Sequence, residues 1–165
     1  MTPLHTLVVG VDFSETSEDA LESALELAAH RDGHIHLVHV VPDVLHTPWM
    51  VEAAGVDFQG VQQQWVDDAN RQLVDFAAQH RVDPQRVTTT VLVGPPATEI
   101  VRYATEHAAN VIVLGTHGRG RVTRFLLGSV ADRVVREARC PVMLVPHHTL
   151  WPTTFAIETA SGIES

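Results

Sequence analysis

Short apolar runs alternate with longer amphipathic stretches along the chain. Five runs rich in β-branched residues predict buried strands, at Thr6 to Val11, Ile35 to Val41, Val87 to Val93, Val111 to Leu114 and Pro141 to Val145. Apolar residues spaced three and four apart predict helices between them, from Ser14 to about His30, Val56 to His80, Ala97 to Ala108 and Val130 to Ala138. Alternating strands and helices predict right-handed βαβ crossovers, and therefore an α/β fold with a parallel sheet.

The same pattern sets the expected core and the domain organisation. The longest helix is predicted to bury one apolar stripe, formed by Val61, Trp65, Ala69, Leu73 and Phe76. A length of 165 residues favours a single domain. Residues 147–165 show no clear period, which leaves two readings, disorder or packing on a partner. We therefore expect one domain over residues 1–146 and a C-terminal tail after it.

Composition narrows the class of function. A formal net charge of −9 argues against a general nucleic-acid or membrane-surface binder. The chain contains neither a signal-peptide pattern nor an apolar run long enough to span a membrane, and its single cysteine, Cys140, cannot form an internal disulfide. We expect a cytoplasmic protein with a structural thiol. All 11 basic residues are arginines, so a Walker-type phosphate loop, which needs a lysine, is excluded.

One glycine-rich segment concentrates the positive charge. From Gly115 to Ser129 the chain contains Arg119, Arg121 and Arg124 and no acidic residue. The segment follows a predicted strand and leads into a predicted helix, where backbone N–H groups can cradle a phosphate. The alternative is a structural turn whose glycines only supply backbone freedom. We favour phosphate binding, with one of the arginines at most in contact with the phosphate.

A second feature lies at the end of the first strand. In open parallel sheets, ligands bind beyond the carboxyl ends of strands, where the strand order reverses. Asp12 ends the first strand and Gly115 ends the fourth. If these strands are neighbours, a carboxylate able to accept ribose hydroxyls faces the phosphate loop, which suggests a nucleotide. Simple capping of the first helix by Asp12, and of the fourth by Ser129, are the competing readings.

Eleven histidines raise the question of a metal site. On the second strand His34 and His36 share one face, whereas His39 points to the other. There is no companion cysteine pair, so we expect no protein-built metal site. His117 lies inside the glycine-rich segment and is expected to face solvent.

Several spacings together resemble a known family. They are Gly115-x2-Gly118-x9-Gly128-Ser129, Val8 to Ser14, Val38 to Val41 and Cys140 to Val145. Over about residues 4–146 this combination is similar to the ATP-binding universal stress proteins. The resemblance implies a five-stranded parallel sheet in the order 3-2-1-4-5, sandwiched by four helices. It also implies a homodimer paired through Pro141 to Val145, and ATP as ligand, with Mg or Mn.

The resemblance also implies the site residues. Asp12 would contact the ribose or adenine side, and the backbone of Val40 would meet adenine. The residues implied to line the ribose and phosphates are Gly115, Gly118, Gly128, Ser129 and Val130, and we add Arg119 as the arginine that contacts phosphate. Phe13 departs from the glycine frequent at this position in the family and places a bulky ring beside the expected base.

Three functions follow from these features. The first, which we favour, is an ATP-binding regulatory dimer of the stress response acting on a protein partner. The second is a slow ATPase or self-phosphorylating enzyme, for which the glycine-rich segment offers Thr116, His117, Thr123 and Ser129 but no activating carboxylate. The third is a dimeric interaction module without nucleotide. We expect at most slow ATP hydrolysis.

Overall fold

The computed structural model describes residues 5–29, 33–45, 57–80, 82–116 and 127–147. Strands and helices alternate within these ranges: β1 (Thr6–Gly10), α1 (Glu15–Ala29), β2 (His34–Val41), α2 (Phe58–Gln79), β3 (Val87–Val93), α3 (Pro96–Glu106), β4 (Val111–Gly115), α4 (Ser129–Glu137) and β5 (Val142–Val145). All paired strands run parallel, in the order β3-β2-β1-β4-β5. The expected α/β fold and strand order are confirmed.

Helices cover both faces of the sheet because its central strands are apolar on both sides. On β1, Leu7 and Val9 pack with α1 and α2, whereas Val8 packs with α3 and α4. All three side chains are fully buried. This is the pattern expected of a parallel sheet between two helical layers, in which successive residues point to opposite faces. It leaves the carboxyl ends of β1, β2 and β4 at one edge of the sheet.

The predicted apolar stripe of α2 is only partly correct. Ala69, Leu73 and Phe76 are buried, but the Trp65 side chain is 38% exposed. Gln62 is buried in the first half of the helix, and its Oε1 accepts the backbone N–H of Val44 at 2.9 Å. Gln62 is therefore buried as the acceptor of the Val44 N–H, at a position where the periodicity of the helix favours an apolar residue.

Observed boundaries differ little from the predicted ones. β1 ends one residue early, at Gly10, and α3 ends at Glu106, beyond which Ala108 adopts a left-handed conformation with φ 48°. Residues 148–165, most of the predicted tail, lie outside the described ranges. In the part of the chain that the structure describes, no helix combines the length and apolar character needed to cross a membrane.

Candidate functional site

A cavity of about 300 Å³ opens at the carboxyl edge of the sheet, between the ends of β1, β2 and β4. Strand order reverses at this point, because β1 leads to β2 on one side and pairs with β4 on the other. Ligands of open α/β sheets bind at such a position. The topology therefore places this cavity where the fold favours a ligand.

Six of the eight residues predicted for the site line this one cavity. They are Asp12, Val40, Gly115, Gly128, Ser129 and Val130. They come from four different segments of the chain, which the parallel pairing of β1 with β2 and β4 brings together. Gly118 and Arg119, like His117, Arg121 and Arg124, lie outside the described residues.

One wall of the cavity is apolar. It is formed by Val38, Val40, Pro96, Ile100 and Leu114. Pro96 and Ile100 are not among the residues that the sequence suggested, because α3 reaches the cavity through the crossover from β3 to β4. The Gly94-Pro95-Pro96 turn, which ends β3 and begins α3 at this edge, is the sequence signal that could have indicated them.

The first turn of α4 also lines the cavity, through Ser129, Val130 and Ala131. Gly128 is the N-cap residue, with φ −59° and ψ 146°, and within the described ranges no side chain caps the helix. The Gly128 N–H donates to the Thr116 carbonyl at 2.8 Å, and its own carbonyl accepts from the Asp132 N–H at 2.9 Å. The N–H groups of the first turn have no acceptor within the helix, and the helix dipole gives this end a partial positive charge. The reading of Ser129 as the N-cap is wrong, since Ser129 is the first helical residue.

Asp12 occupies a turn between β1 and α1. Its Oδ1 accepts the Ser14 N–H at 3.1 Å and the hydroxyls of Ser14 and Ser17, each at 2.5 Å. Asp12 therefore organises the start of α1 and also lines the cavity. The structure thus confirms that Asp12 helps to begin α1, which was the alternative to ligand binding. Its position on the cavity is compatible with both roles.

Gly115 lies too close to Thr16 for a larger residue, a constraint that the sequence did not suggest. A Cβ atom added at Gly115 would lie 2.7 Å from Thr16 Cβ and Oγ1 and 2.9 Å from the Thr16 carbonyl carbon. The end of β4 thus packs directly against the first turn of α1. Close packing of these two elements, which form adjacent parts of the cavity rim, is sufficient to explain the missing side chain.

Phe13 turns away from the cavity. It has a φ of 61°, and its ring packs against His39 with centroids 4.5 Å apart and against Phe76 at 5.9 Å. His39 Nδ1 in turn donates to the Val11 carbonyl at 2.7 Å. Phe13 belongs to the core between the sheet and α1 and α2 and is not among the cavity-lining residues. The bulky side chain that stands where the family frequently has glycine therefore packs against the core and does not line the cavity.

A group of histidines lies away from the cavity, under α3. His36 Nδ1 is 3.0 Å from the Tyr103 hydroxyl, and the His36 ring lies 5.1 Å from His34 and 5.2 Å from His107. Burial, followed by the nearby His34 and His107, lowers the pKa of His36 to about 4. His39 points to the opposite face, as expected. Among the described residues, no set of histidine, cysteine and acidic side chains is arranged to hold a metal ion.

Cys140 follows α4 and is partly buried. Burial raises the pKa of its thiol, which keeps the thiol protonated and poorly nucleophilic. This environment agrees with the structural role expected from the sequence.

Solved structures share this architecture. One solved structure is described as a structure-based assignment of the biochemical function of hypothetical protein MJ0577. It aligns with this chain with a TM-score of 0.74 and 22% identity, over 88% of this chain and 97% of its own. The universal stress protein from Archaeoglobus fulgidus in complex with dAMP aligns with a TM-score of 0.62 and 27% identity, over 88% and 99% of the two chains. A universal stress protein in complex with cAMP, at 23% identity and a TM-score of 0.59, shares the fold over 86% of this chain and 95% of its own.

Sequence comparison agrees. Universal stress protein MJ0531 of Methanocaldococcus jannaschii is 32% identical over 139 residues, which cover 84% of this chain and 80% of that relative. Universal stress protein Rv2005c of Mycobacterium tuberculosis is 35% identical over 143 residues, and the chain spans 46% of its length. The model of the universal stress protein family matches residues 3–146. The chain therefore belongs to the universal stress protein family.

Proposed function

We propose that this protein binds ATP, together with Mg or Mn, in the cavity at the carboxyl edge of the sheet, and that ATP occupancy regulates a homodimer that acts on a protein partner. The observation that carries the proposal is the combination of three features around one cavity. These are an apolar wall, a carboxylate at Asp12 and a helix, α4, whose N-cap is Gly128 and which no side chain among the described residues caps. Together they match a base, a ribose and a phosphate chain.

The apolar wall suits a purine base. Val38, Val40 and Ile100 offer flat aliphatic contact, and ligand cavities are typically mostly apolar with a few placed polar groups. The backbone of Val40 is the group proposed to meet adenine. The dAMP complex of the Archaeoglobus fulgidus relative supports an adenine nucleotide as the class of ligand.

The start of α4 suits the phosphates. Ser129 and Val130 lie in its first turn and line the cavity, so their N–H groups are the proposed phosphate donors, together with the Ser129 hydroxyl. Gly118 and Arg119 are proposed to complete this part of the site from the segment between Thr116 and Leu127. Asp12 is proposed to accept the ribose hydroxyls.

A divalent cation fits this site only as a partner of the phosphates. The described residues contain no ligand cluster for a metal, and Mg²⁺ in nucleotide sites is held largely by phosphate oxygens and water. The cation would neutralise phosphate charge in a protein whose own net charge is −9.

The dimer is proposed to form through β5. This strand stands at one edge of the sheet and, within the described residues, pairs with β4 alone. Its Met143 side chain is 38% exposed. An edge strand with unpaired backbone groups is a natural site of pairing with a second chain. Light scattering at micromolar concentration is expected to give a dimer mass, and a monomer mass contradicts this part of the proposal.

Calorimetric titration of the wild-type protein tests the ligand. We expect ATP to bind in the presence of Mg²⁺ and adenosine to bind much more weakly, because only ATP uses the start of α4. The same titration with GTP is the control for the base. No heat of binding with ATP, in protein from which any co-purified nucleotide has been removed by dialysis after unfolding and refolding, would refute the proposal.

A further inference from the structure

One buried hydroxyl holds Asp12 at two points. Ser17 Oγ donates to Asp12 Oδ1 at 2.5 Å and accepts the Asp12 backbone N–H at 3.0 Å. Ser17 is only 3% exposed and also lines the cavity. The Ser14 hydroxyl adds another donor to the same Oδ1. The hydroxyls of Ser14 and Ser17 therefore converge on a carboxylate that lines the cavity.

The backbone around Asp12 is held as well. The Val11 N–H donates to the Val38 carbonyl at 2.8 Å, and the Val11 carbonyl accepts from His39 Nδ1. On the other side, Phe13 is kept in a left-handed conformation by its packing against His39 and Phe76. A bulky residue adopts such a conformation only where surrounding contacts enforce it. Asp12 therefore stands in a fixed backbone frame, which leaves its side-chain torsions as the remaining freedom.

We infer that Ser17, assisted by Ser14, is a positioning residue that fixes the Asp12 carboxylate in the orientation that receives the ribose hydroxyls of the nucleotide; the inference rests on the proposed function. A carboxylate tied through Oδ1 has little rotational freedom left, so Oδ2 keeps one direction. Binding groups that are ordered before the ligand arrives lose less conformational entropy on binding. Ser17 acts through Asp12 and not by contact with the phosphates.

The variant Ser17→Ala tests this directly. It removes one oxygen, leaves Asp12 in place and deletes one of the three hydrogen bonds that its Oδ1 accepts, which loosens the orientation of the carboxylate. Affinity for ATP is expected to fall roughly tenfold, the order expected for one hydrogen bond to a charged group. Affinity for 2′,3′-dideoxy-ATP is expected to stay within about twofold of wild type, because that ligand lacks the hydroxyls that Asp12 would receive. Both affinities are measured by calorimetry in the presence of Mg²⁺.

Two further variants test whether Ser17 acts through the Asp12 side chain. Ser23→Ala removes a hydroxyl from the same helix, where Ser23 Oγ donates to the Asp19 carbonyl at 2.9 Å without lining the cavity. It should change neither affinity. The double variant Asp12→Ala with Ser17→Ala should bind ATP no more weakly than Asp12→Ala alone, since the side chain through which Ser17 acts is then absent.

The outcomes separate cleanly. Equal losses for ATP and dideoxy-ATP in Ser17→Ala overturn the inference, because they indicate general damage to the cavity. If circular dichroism shows that Ser17→Ala does not fold, Ser14→Ala takes its place, with a selective loss for ATP of about threefold expected. An equal loss for both ligands again overturns the inference. Failure of the wild-type protein to bind ATP overturns the proposed function itself, and the inference with it.

Discussion

Two helices begin at the rim of the same cavity, and the chain treats their first turns differently. At α1, side chains of the turn itself supply the polar contacts, since Asp12 Oδ1 accepts from the Ser14 N–H and from two hydroxyls. At α4, the N-cap is Gly128, and no side chain among the described residues takes that role. At α1 the backbone N–H groups of Ser14 and Ser17 donate to Asp12 Oδ1 and to the Ser14 carbonyl, so fewer donors remain for a ligand there. This difference supports the proposal that α1 positions Asp12 and that α4 binds phosphate.

The acidic first turn of α1 reinforces the contrast. The acidic residues of this turn are Glu15 and Glu18. His147 Nε2 and Nδ1 lie 3.1 Å and 2.8 Å from the carboxylates of Glu15 and of Asp19, which follows the turn. Negative side chains near a helix start favour the helix and repel an anion. In α4, Asp132 lies in the first turn but pairs with Arg136 one turn later. Phosphate is therefore expected at α4 and not at α1.

The largest expected effect is at Gly128. Its backbone conformation suits an aspartate N-cap, so Gly128→Asp should preserve α4 while placing a carboxylate where phosphate is proposed to bind. We expect ATP affinity to fall by at least about 100-fold, because like charges repel strongly at short range. Gly128→Asn is the matched neutral control and should lose less. Calorimetry with ATP and adenosine measures both; equal losses in the two variants would contradict an open phosphate site.

The next effect separates two glycines of the same motif. Gly115→Ala pushes a Cβ atom to within 2.9 Å of the Thr16 backbone and is expected to cost about 2 kcal/mol of unfolding free energy through overpacking. Gly128→Ala, at the uncapped start of α4, should cost less than about 1 kcal/mol. Urea unfolding followed by circular dichroism measures both. Equal costs would mean that β4 and α1 can separate without penalty.

A smaller effect concerns the histidines under α3. Like the polar groups of the turn before α1, they have their hydrogen-bond and ring contacts within the chain. His36 has a pKa of about 4 in the folded protein against an ordinary 6.5. Between these values the unfolded chain binds more protons, so this residue makes stability fall as the pH drops through that window. We expect the contribution to be about 1 kcal/mol after allowance for partial exposure.

Urea unfolding at pH 7 and pH 4.5 measures this difference in the wild type and in His36→Gln. The variant cannot titrate at this position, so its stability should depend less steeply on pH in that interval. Identical pH dependence in the two proteins would show that His36 is not held neutral by its surroundings.

The smallest effect is at His147. Its hydrogen bond to Asp19, with the charges of Asp19 and Glu15, raises its pKa above the ordinary 6.5. The contact is therefore present in full below the unfolded pKa and is lost as the pH rises through the folded value. A proton NMR titration of the His147 ring should show the raised pKa, and Asp19→Asn should return it toward 6.5. An unchanged His147 pKa in Asp19→Asn would show that His147 does not form this hydrogen bond with α1.

The sequence predicted the fold well where local signals and burial agree. The β-branched run from Val87 to Val93, ended by Gly94 and Pro95, forms β3 with the same bounds. The inward face of α2 was predicted less well, because Gln62 is buried to meet the Val44 N–H and Trp65 is displaced outward. The backbone N–H that Gln62 accepts belongs to a residue 18 positions away, so the periodicity of the helix gives no sign of this hydrogen bond.

The same limit applies to the site. Asp12 and Ser129 could be predicted to line the cavity because Asp12 follows β1 and Ser129 begins α4, both at the carboxyl edge of the sheet. The contact of Gly115 with Thr16 depends on how α1 packs against β4, and the entry of Ile100 depends on the angle of α3, so neither is encoded locally. The packing of Phe13 against the core could not be predicted, because it depends on a left-handed backbone that is uncommon for a bulky residue.

Amide chemical shifts in ¹⁵N-labelled protein test the division of roles between α1 and α4 most directly. The amides of Ser129, Val130 and Ala131 should shift strongly with ATP and little with adenosine, because only the phosphates reach the open first turn of α4. The Ser14 and Ser17 amides, near the proposed ribose site, should respond to both ligands alike once each is near saturation. Phosphate-dependent shifts at the start of α1, with the start of α4 unaffected, would contradict the account.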